Sequence, residues 1–144
     1  MNITAKSKYA VRALVELAQR KGDSPVPLVV IAEARDIPTQ FLEQLFAALR
    51  RAGILQSHRG VYGGFTFNRP PSQVTVLNVV EVLDGPIEPA LCTTSDACAR
   101  REVCSVGDVW VQAKLAVEDV LDGVSIQELA EREAAKDGAS MYYI

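Results

Sequence analysis

Residues 28–68 constrain the fold more than any other segment of this 144-residue chain. Leu28 to Ala34 predicts a short helix, and Arg35-Asp36-Ile37-Pro38 predicts a tight turn. Thr39 to Ala52 predicts a longer helix, with the Thr39 side chain capping its first turn. Its apolar side chains recur at helical spacing and are expected to be buried: Phe41, Leu42, Leu45, Phe46 and Leu49. A short helix, a tight turn and a longer helix are the order of a helix-turn-helix.

A β-hairpin is predicted directly after this motif. Ile54 to Ser57 and Phe65 to Asn68 are short strand candidates, and they flank a glycine-rich loop at residues 58–64. The tip of the loop combines a basic and an aromatic side chain with flexible backbone: Arg59, Gly60 and Tyr62. A hairpin of this kind beside a helix-turn-helix is a wing. His58, the only histidine of the chain, is interpreted as a solvent-facing hairpin residue.

Three further helices are predicted from apolar residues at helical spacing, at Lys8 to Ala18, Thr75 to Leu83 and Val106 to Leu121, and a short acidic helix is predicted at Ser125 to Ala134. The chain is therefore expected to be mainly α-helical with one small β-hairpin. No apolar run approaches the ~20 residues of a membrane-spanning helix. The N-terminus lacks the apolar stretch of a signal peptide, which predicts a cytoplasmic location.

Charge is distributed unevenly between the two halves of the chain. Residues 1–72 contain ten Lys and Arg against five Asp and Glu, a net charge of +5. Residues 73–144 contain five against thirteen, a net charge of −8. A DNA-binding face needs local positive charge, whatever the whole molecule carries. The overall charge of −3 therefore does not exclude a nucleic-acid partner.

The longer helix of the motif has the side chains that read base edges. Opposite its apolar stripe lie four polar residues: Thr39, Gln40, Glu43 and Gln44. Gln pairs with adenine through two contacts, and Glu accepts a hydrogen bond from cytosine. On the wing, Arg59 would reach phosphates or the minor groove, and Tyr62 would pack on the DNA backbone. The alternative is a plain amphipathic surface helix followed by an ordinary turn; the basic first half of the chain favours DNA binding.

All three cysteines, Cys92, Cys98 and Cys104, lie within thirteen residues. Their spacing is unlike the paired Cys-x2–4-Cys of structural zinc sites. Structural disulfides are unusual in a cytoplasmic protein, whereas loop thiolates suit an iron–sulfur cluster. The alternatives are thiols that form a regulatory disulfide and thiols with no role.

Several segments, in the same order and spacing, resemble the Rrf-type winged-helix transcription regulators, the group that includes IscR, NsrR, RirA and CymR. The resemblance extends from about Met1 to Ala130. The segments that carry it are residues 7–14, 41–46, 57–65, 69–71 and 74–81. The cysteine loop and the residues that follow it look most like the IscR-like members.

This resemblance implies a homodimer in which the helix at residues 106–121 packs against its partner, and an operator with two-fold symmetry. It also implies that Gln40, Glu43, Gln44 and Arg59 face the DNA. The organisation it predicts is a DNA-binding domain (1–84), a cysteine sensor loop (85–105), the dimerisation helix and C-terminal helix (106–136) and a mobile tail (137–144).

The resemblance further implies that the three cysteines hold the cluster, either 2Fe–2S or 4Fe–4S. The fourth ligand of the family does not carry over. The IscR-type histidine falls at Gly107, and the N-terminal aspartate of NsrR-type regulators falls at Lys8. The open candidates are a solvent molecule and Asp96, Glu102, Ser105 and Asp108.

The function predicted is that of a homodimeric DNA-binding transcription regulator whose operator affinity depends on the cluster, with iron, redox or nitric oxide as the signal. The alternative is a cluster-free, CymR-like regulator controlled by a protein partner or by thiol oxidation. An enzyme is not supported, since the chain has one histidine, no phosphate-binding glycine motif and no nucleophile–base pair.

Overall fold

The structure is a computed structural model that describes residues 2–20, 22–90 and 105–141. Six α-helices and one antiparallel hairpin make up the described part of the chain. In chain order these elements are α1 (Ala5–Gln19), α2 (Leu28–Arg35), α3 (Thr39–Arg51), β1 (Leu55–His58), β2 (Gly64–Phe67), α4 (Val76–Asp84), α5 (Gly107–Asp122) and α6 (Ile126–Met141). A single 3-10 turn, Pro71–Gln73, connects the hairpin to α4. None of the described helices combines the length and apolarity that a membrane span requires.

The core forms around α1, which contacts α2, α3, α4 and α6. The largest fully buried apolar side chains come from every element except α5 and β2: Leu14, Ile31, Leu42, Phe46, Leu49, Ile54, Leu55, Val74, Val79, Val80 and Ile126. The apolar stripe predicted on α3 is buried as expected from Leu42 to Leu49, while Phe41 is half-buried and packs edge-on against the Tyr9 ring. The core therefore fixes α3 by one face and leaves its other face free.

The start of α1 is tied to the end of α4 by a small polar cluster. Asp84 accepts hydrogen bonds from the Thr4 backbone N–H (3.0 Å), the Thr4 hydroxyl (2.5 Å) and the Ser7 hydroxyl (2.5 Å). Ser7 is only 1% exposed, so its hydroxyl has little access to water. Desolvation raises the pKa of the Asp84 carboxyl, but the hydrogen bonds from Ser7 and Thr4 outweigh it and hold that pKa below its ordinary value.

We expect Asp84→Asn to lower the free energy of unfolding at neutral pH by about 1–3 kcal/mol, because hydrogen bonds to a charged acceptor are replaced by weaker ones. The pKa of the Asp84 carboxyl is lower in the folded protein than in the unfolded chain. The contribution of Asp84 to the free energy of unfolding is therefore complete at pH values above its pKa in the unfolded chain, and it disappears as the pH falls through its pKa in the folded protein. The deficit of the variant should therefore shrink in acid, in urea unfolding curves recorded against pH. Glu81→Gln, an exposed change on the same helix, is the control. A deficit that stays constant or grows in acid would contradict this account.

A second polar cluster joins α6 to the helix-turn-helix. The Arg35 guanidinium at the end of α2 contacts Glu16 of α1 (3.1 Å) and Glu133 of α6 (2.7 Å). Desolvation lowers the pKa of Arg35, but Glu133 and Glu16 outweigh it and raise that pKa. This cluster places α6 beside α1 and α2, in addition to the buried contacts of Ile126 and Ala130.

Three local predictions differ from the structure. Thr39 is the first residue of α3 and not its cap; the N-cap is Pro38, which has no side-chain hydrogen bond to offer. Helix α1 begins earlier than expected because the Thr4 hydroxyl accepts from the Lys6 N–H and caps it at Ala5. Helix α6 continues to Met141, into the segment expected to be a mobile tail, because Ala134 and Ala135 favour a helix.

Candidate nucleic-acid interface

The turn between α2 and α3 sets the angle at which α3 leaves the core. Asp36 takes up a left-handed conformation (φ 52°, ψ 51°), the single non-glycine residue with positive φ among those described. The Ile37 N–H then donates to the Ala32 carbonyl (2.9 Å), and the Ile37 side chain is buried. Pro38 cannot continue α2 but fits directly before a new helix. The tight turn of a helix-turn-helix results from three features in sequence: the left-handed backbone of Asp36, the buried side chain of Ile37, and Pro38.

Helix α3 has one buried and one exposed face. Gln40, Glu43 and Gln44 are exposed, and Thr39 is half-buried. Arg50 and Arg51 at the end of α3 are exposed as well. The first turns of the helix therefore present two amides and a carboxylate to solvent, which are groups that hydrogen-bond to base edges.

The wing is anchored on two sides. Strands β1 and β2 pair from Leu55–Phe67 to His58–Gly64, and Phe65 exchanges two backbone hydrogen bonds with Val26 (2.9 and 3.0 Å). Gly64 has φ 155°, and a Cβ there would lie 2.3 Å from the Val26 backbone. Only glycine therefore allows the connector before α2 to lie this close to β2.

The tip of the wing is the most exposed part of the hairpin. Arg59 and Gly60 are exposed, and Gly60 has φ 107°. Val61 and Tyr62 are 94% and 89% exposed. Val61 was not among the residues singled out from the sequence, although its position between Gly60 and Tyr62 on the loop was a signal for it. An apolar and an aromatic side chain held this far out of the core suggest an intermolecular contact.

Helix α3 and the wing are joined at their bases. The Ile54 N–H donates to the Leu49 carbonyl (3.0 Å), and the Asn68 side-chain amide donates to the Gly53 carbonyl (3.0 Å). The Arg50 guanidinium donates to the Ser57 hydroxyl (3.4 Å). The exposed face of α3 and the wing are therefore parts of one connected unit.

His58 does not face solvent as predicted. It is half-buried, and its Nε2 lies 2.8 Å from the Thr66 hydroxyl on β2. Thr66 pairs with Gln56, so it is the diagonal neighbour of His58 on the same face of the hairpin and lies within reach of the imidazole.

Comparison with known proteins identifies the family of this chain. The sequence pattern of the Rrf2 family, described as iron-dependent transcriptional regulators, matches residues 3–132. The chain belongs to the Rrf2 family. Three individual proteins are similar to this chain over most of its length.

CymR of Bacillus subtilis (strain 168) is 34% identical over 144 residues, the full length of both chains. The solved structure of this CymR, described as the global cysteine regulator, has a TM-score of 0.75 at 33% identity and covers 92% of this chain and 98% of its own. IscR of Aliivibrio salmonicida (strain LFI1238) is 33% identical over 90% of this chain and 77% of its own length. The structure of T. potens IscR gives a TM-score of 0.73 at 31% identity, covering 99% and 97%.

These relatives confirm the predicted winged-helix architecture and the predicted class of function. This Rrf2-family protein is a DNA-binding transcription regulator and not an enzyme. The identity of the DNA-contacting residues stays a prediction. The exposure of Gln40, Glu43, Gln44 and Arg59 leaves those side chains available for that role.

Helix α5 of this Rrf2-family protein carries no buried residue. Val109, Trp110 and Val120 are 56%, 40% and 68% exposed. At 3.6 residues per turn they lie within an arc of about 100°. We call these three residues the α5 apolar face. A strip of this kind is unusual on the free surface of a soluble protein unless it contacts another molecule.

The three predicted cluster ligands, Cys92, Cys98 and Cys104, lie outside the described residues, and so do Asp96 and Glu102. Of the candidates for the fourth ligand, Ser105 and Asp108 are described. Both are exposed, Asp108 in the first turn of α5. The described ranges contain no set of three His, Cys, Asp or Glu side chains placed to hold a metal ion.

Proposed function

We propose that this protein binds a two-fold symmetric operator as a homodimer, with α3 in the major groove and the wing against the adjacent backbone or minor groove. The observation that carries the proposal is the exposed polar face of α3, opposite a stripe that the core holds by Leu42, Leu45 and Leu49. A helix fixed in this way presents its first turns to the groove, as recognition helices do. The wing is bonded to the same unit and adds Arg59 as a phosphate contact.

Homodimer formation is supported by the α5 apolar face. A two-fold axis beside α5 would bury Val109, Trp110 and Val120 against the same residues of a second copy. The two recognition helices would then read two equivalent half-sites.

Selection of duplexes from a random library tests this function directly. We expect the enriched sequence to be palindromic, with half-site centres about one helical turn, 10–10.5 bp, or a multiple of it apart. A footprint on the enriched duplex should protect both half-sites at once. Enrichment of a single, non-repeated half-site, or none at all, would contradict the proposal.

We further propose that Cys92, Cys98 and Cys104 hold an iron–sulfur cluster that controls operator affinity. The support is the donor set, three thiolates on one segment, together with the description of the family as iron-dependent. When bound, the cluster would make the ordering of this segment depend on iron and on oxidants. Asp108 and Ser105 lie at the start of α5 and are available as a fourth ligand.

The residues on either side of the cysteine segment give it a route to the DNA-binding domain. Asp84, the last residue of α4, is held to α1 by Thr4 and Ser7. Helix α5 follows the segment and carries the proposed dimer face. The segment therefore connects Asp84, which is anchored to α1, with helix α5, which carries the proposed dimer face. A structural change in the segment would alter the distance between the two recognition helices of the dimer.

A cluster-free mode is the second candidate, favoured by the match to CymR over the whole of both chains. Iron and sulfide analysis of the anaerobically purified protein separates the two. We expect the wild-type protein to contain iron and sulfide, and the Cys98→Ala variant to lack both. A colourless wild-type protein without iron after anaerobic reconstitution would favour the cluster-free mode.

A further inference from the structure

A cleft of about 540 Å³ lies behind the wing, a volume within the range of small-molecule sites. It is lined by the end of α1, by the connector before α2, and by β2 with the residues after it. The cleft is distinct from the exposed face of α3 and from the α5 apolar face. Its lining combines polar and charged residues with an apolar part that consists mainly of two phenylalanines and two prolines: Phe65, Phe67, Pro70 and Pro71.

Arg69 is the group that the fold leaves unsatisfied in this cleft. Its Nε is buried and has no hydrogen-bond partner within the described part of the chain. A buried donor without a partner is costly, and more so when it belongs to a charged group. Arg20 also lines the cleft, but it is already paired with Glu16 at 3.1 Å. Arg69 lines the cleft and pairs with no carboxylate of the described residues, so the rest of its guanidinium is the cation available to a ligand.

The surroundings of Arg69 select among anions. A guanidinium binds a carboxylate through two parallel hydrogen bonds. The aromatic and proline walls favour a ligand with a flat apolar body. Asp23 also lines the cleft and disfavours a ligand with several negative charges.

From these observations we propose that the cleft binds a small monocarboxylate with an aromatic body. The carboxylate pairs with Arg69, and the ring lies against Phe65 and Phe67. Because Val26 and Phe65, which are hydrogen-bonded to each other, both line the cleft, an occupant contacts both partners of this bridge. Occupancy would then fix the wing relative to α1; this consequence, unlike the binding itself, rests on the proposed function.

Titration of the isotope-labelled full chain by NMR, with benzoate as the probe, tests the site without DNA. We expect saturable shifts of the amides of Val26, Thr66 and Asn68 with a dissociation constant on the order of 1 mM. Benzyl alcohol, which keeps the ring and lacks the charge, should bind at least about 10-fold more weakly, since a charge-assisted hydrogen bond is lost. Inorganic phosphate should also bind more weakly than benzoate.

Arg69→Gln should weaken benzoate binding to the level of benzyl alcohol, whereas Arg51→Gln, an exposed arginine on α3, should leave it unchanged. If Arg69→Gln fails to fold, the difference in affinity between benzoate and benzyl alcohol in the wild-type protein still tests the proposal. No saturable shift, equal binding of the two probes, or phosphate binding as tightly as benzoate would each overturn the proposal. Loss of DNA affinity in Arg69→Gln without benzoate binding in the wild type would show that Arg69 is a DNA phosphate contact instead.

Operator affinity measured with and without benzoate then tests the coupling to the wing. A change of affinity in the wild type, absent in Arg69→Gln, supports it. Benzoate that binds but leaves operator affinity unchanged would refute the coupling alone. Failure of the proposed function would show separately, as absence of operator binding without any benzoate.

Discussion

Val109→Glu combined with Val120→Glu is expected to convert the protein from a dimer to a monomer and to lower operator affinity at least about 100-fold. Both side chains are more than half exposed on α5, so the substitutions remove little packing within one chain. In a dimer they would place four carboxylates in a shared apolar interface, where unpaired charges are strongly unfavourable. A monomer loses the gain from binding two linked half-sites, which accounts for the affinity change.

Light scattering coupled to size-exclusion chromatography measures the first effect, and gel shifts on the selected operator measure the second. Leu115→Glu makes the same kind of change at a 57% exposed position of the same helix, about 120–140° around it from Val109, Trp110 and Val120, and should leave both unchanged. Thermal unfolding of the double variant monitors the fold. A double variant that remains dimeric and binds the operator normally would show that α5 is not the dimer helix.

Gln40→Ala combined with Gln44→Ala should lower affinity for the selected operator about 100-fold or more, while affinity for a scrambled duplex stays nearly unchanged. Each well-formed pair of contacts from an amide to a base discriminates by about 1–3 kcal/mol, and neither amide adds to the charge attraction that governs non-specific binding. Both side chains are exposed, so the fold should tolerate the change.

Fluorescence anisotropy on both duplexes at one fixed salt concentration measures this difference. Gln73→Ala, an exposed glutamine in the 3-10 turn after the wing, is the matched control. Arg59→Gln provides the opposite pattern, since loss of a phosphate contact should weaken both duplexes and reduce the salt slope by about 1. If the double glutamine variant loses the same factor of affinity for the selected and the scrambled duplex, α3 does not read the bases.

Much of the DNA-binding motif follows from local sequence. The order of helices, the buried residues of α3 and the hairpin are all visible in periodicity and glycine content, because each depends on residues that are near neighbours in the chain. The same holds for the exposure of Gln40, Glu43 and Gln44, which follows once the opposite face of the helix is apolar.

The sequence was a poorer guide where distant residues meet. Capping of α3 by Thr39 was wrong because Pro38 is the N-cap and Thr39 is already the first residue of the helix. His58 is half-buried because its ring contacts the Thr66 hydroxyl, its diagonal neighbour across the hairpin. The contacts of Asp84 with Thr4 and Ser7 join residues about 80 positions apart, and no local pattern announces them.

Sequence alone determined the helical and hairpin segments, the basic first half and the face of α3 that remains polar, because these depend on side-chain type and short-range spacing. Tertiary structure decided which surfaces remain without a partner. The α5 apolar face is left exposed because the core forms around α1 and does not extend over α5. The cleft at Arg69 exists because Gly64 lets the connector at Val26 pair with β2, a contact between segments nearly 40 residues apart.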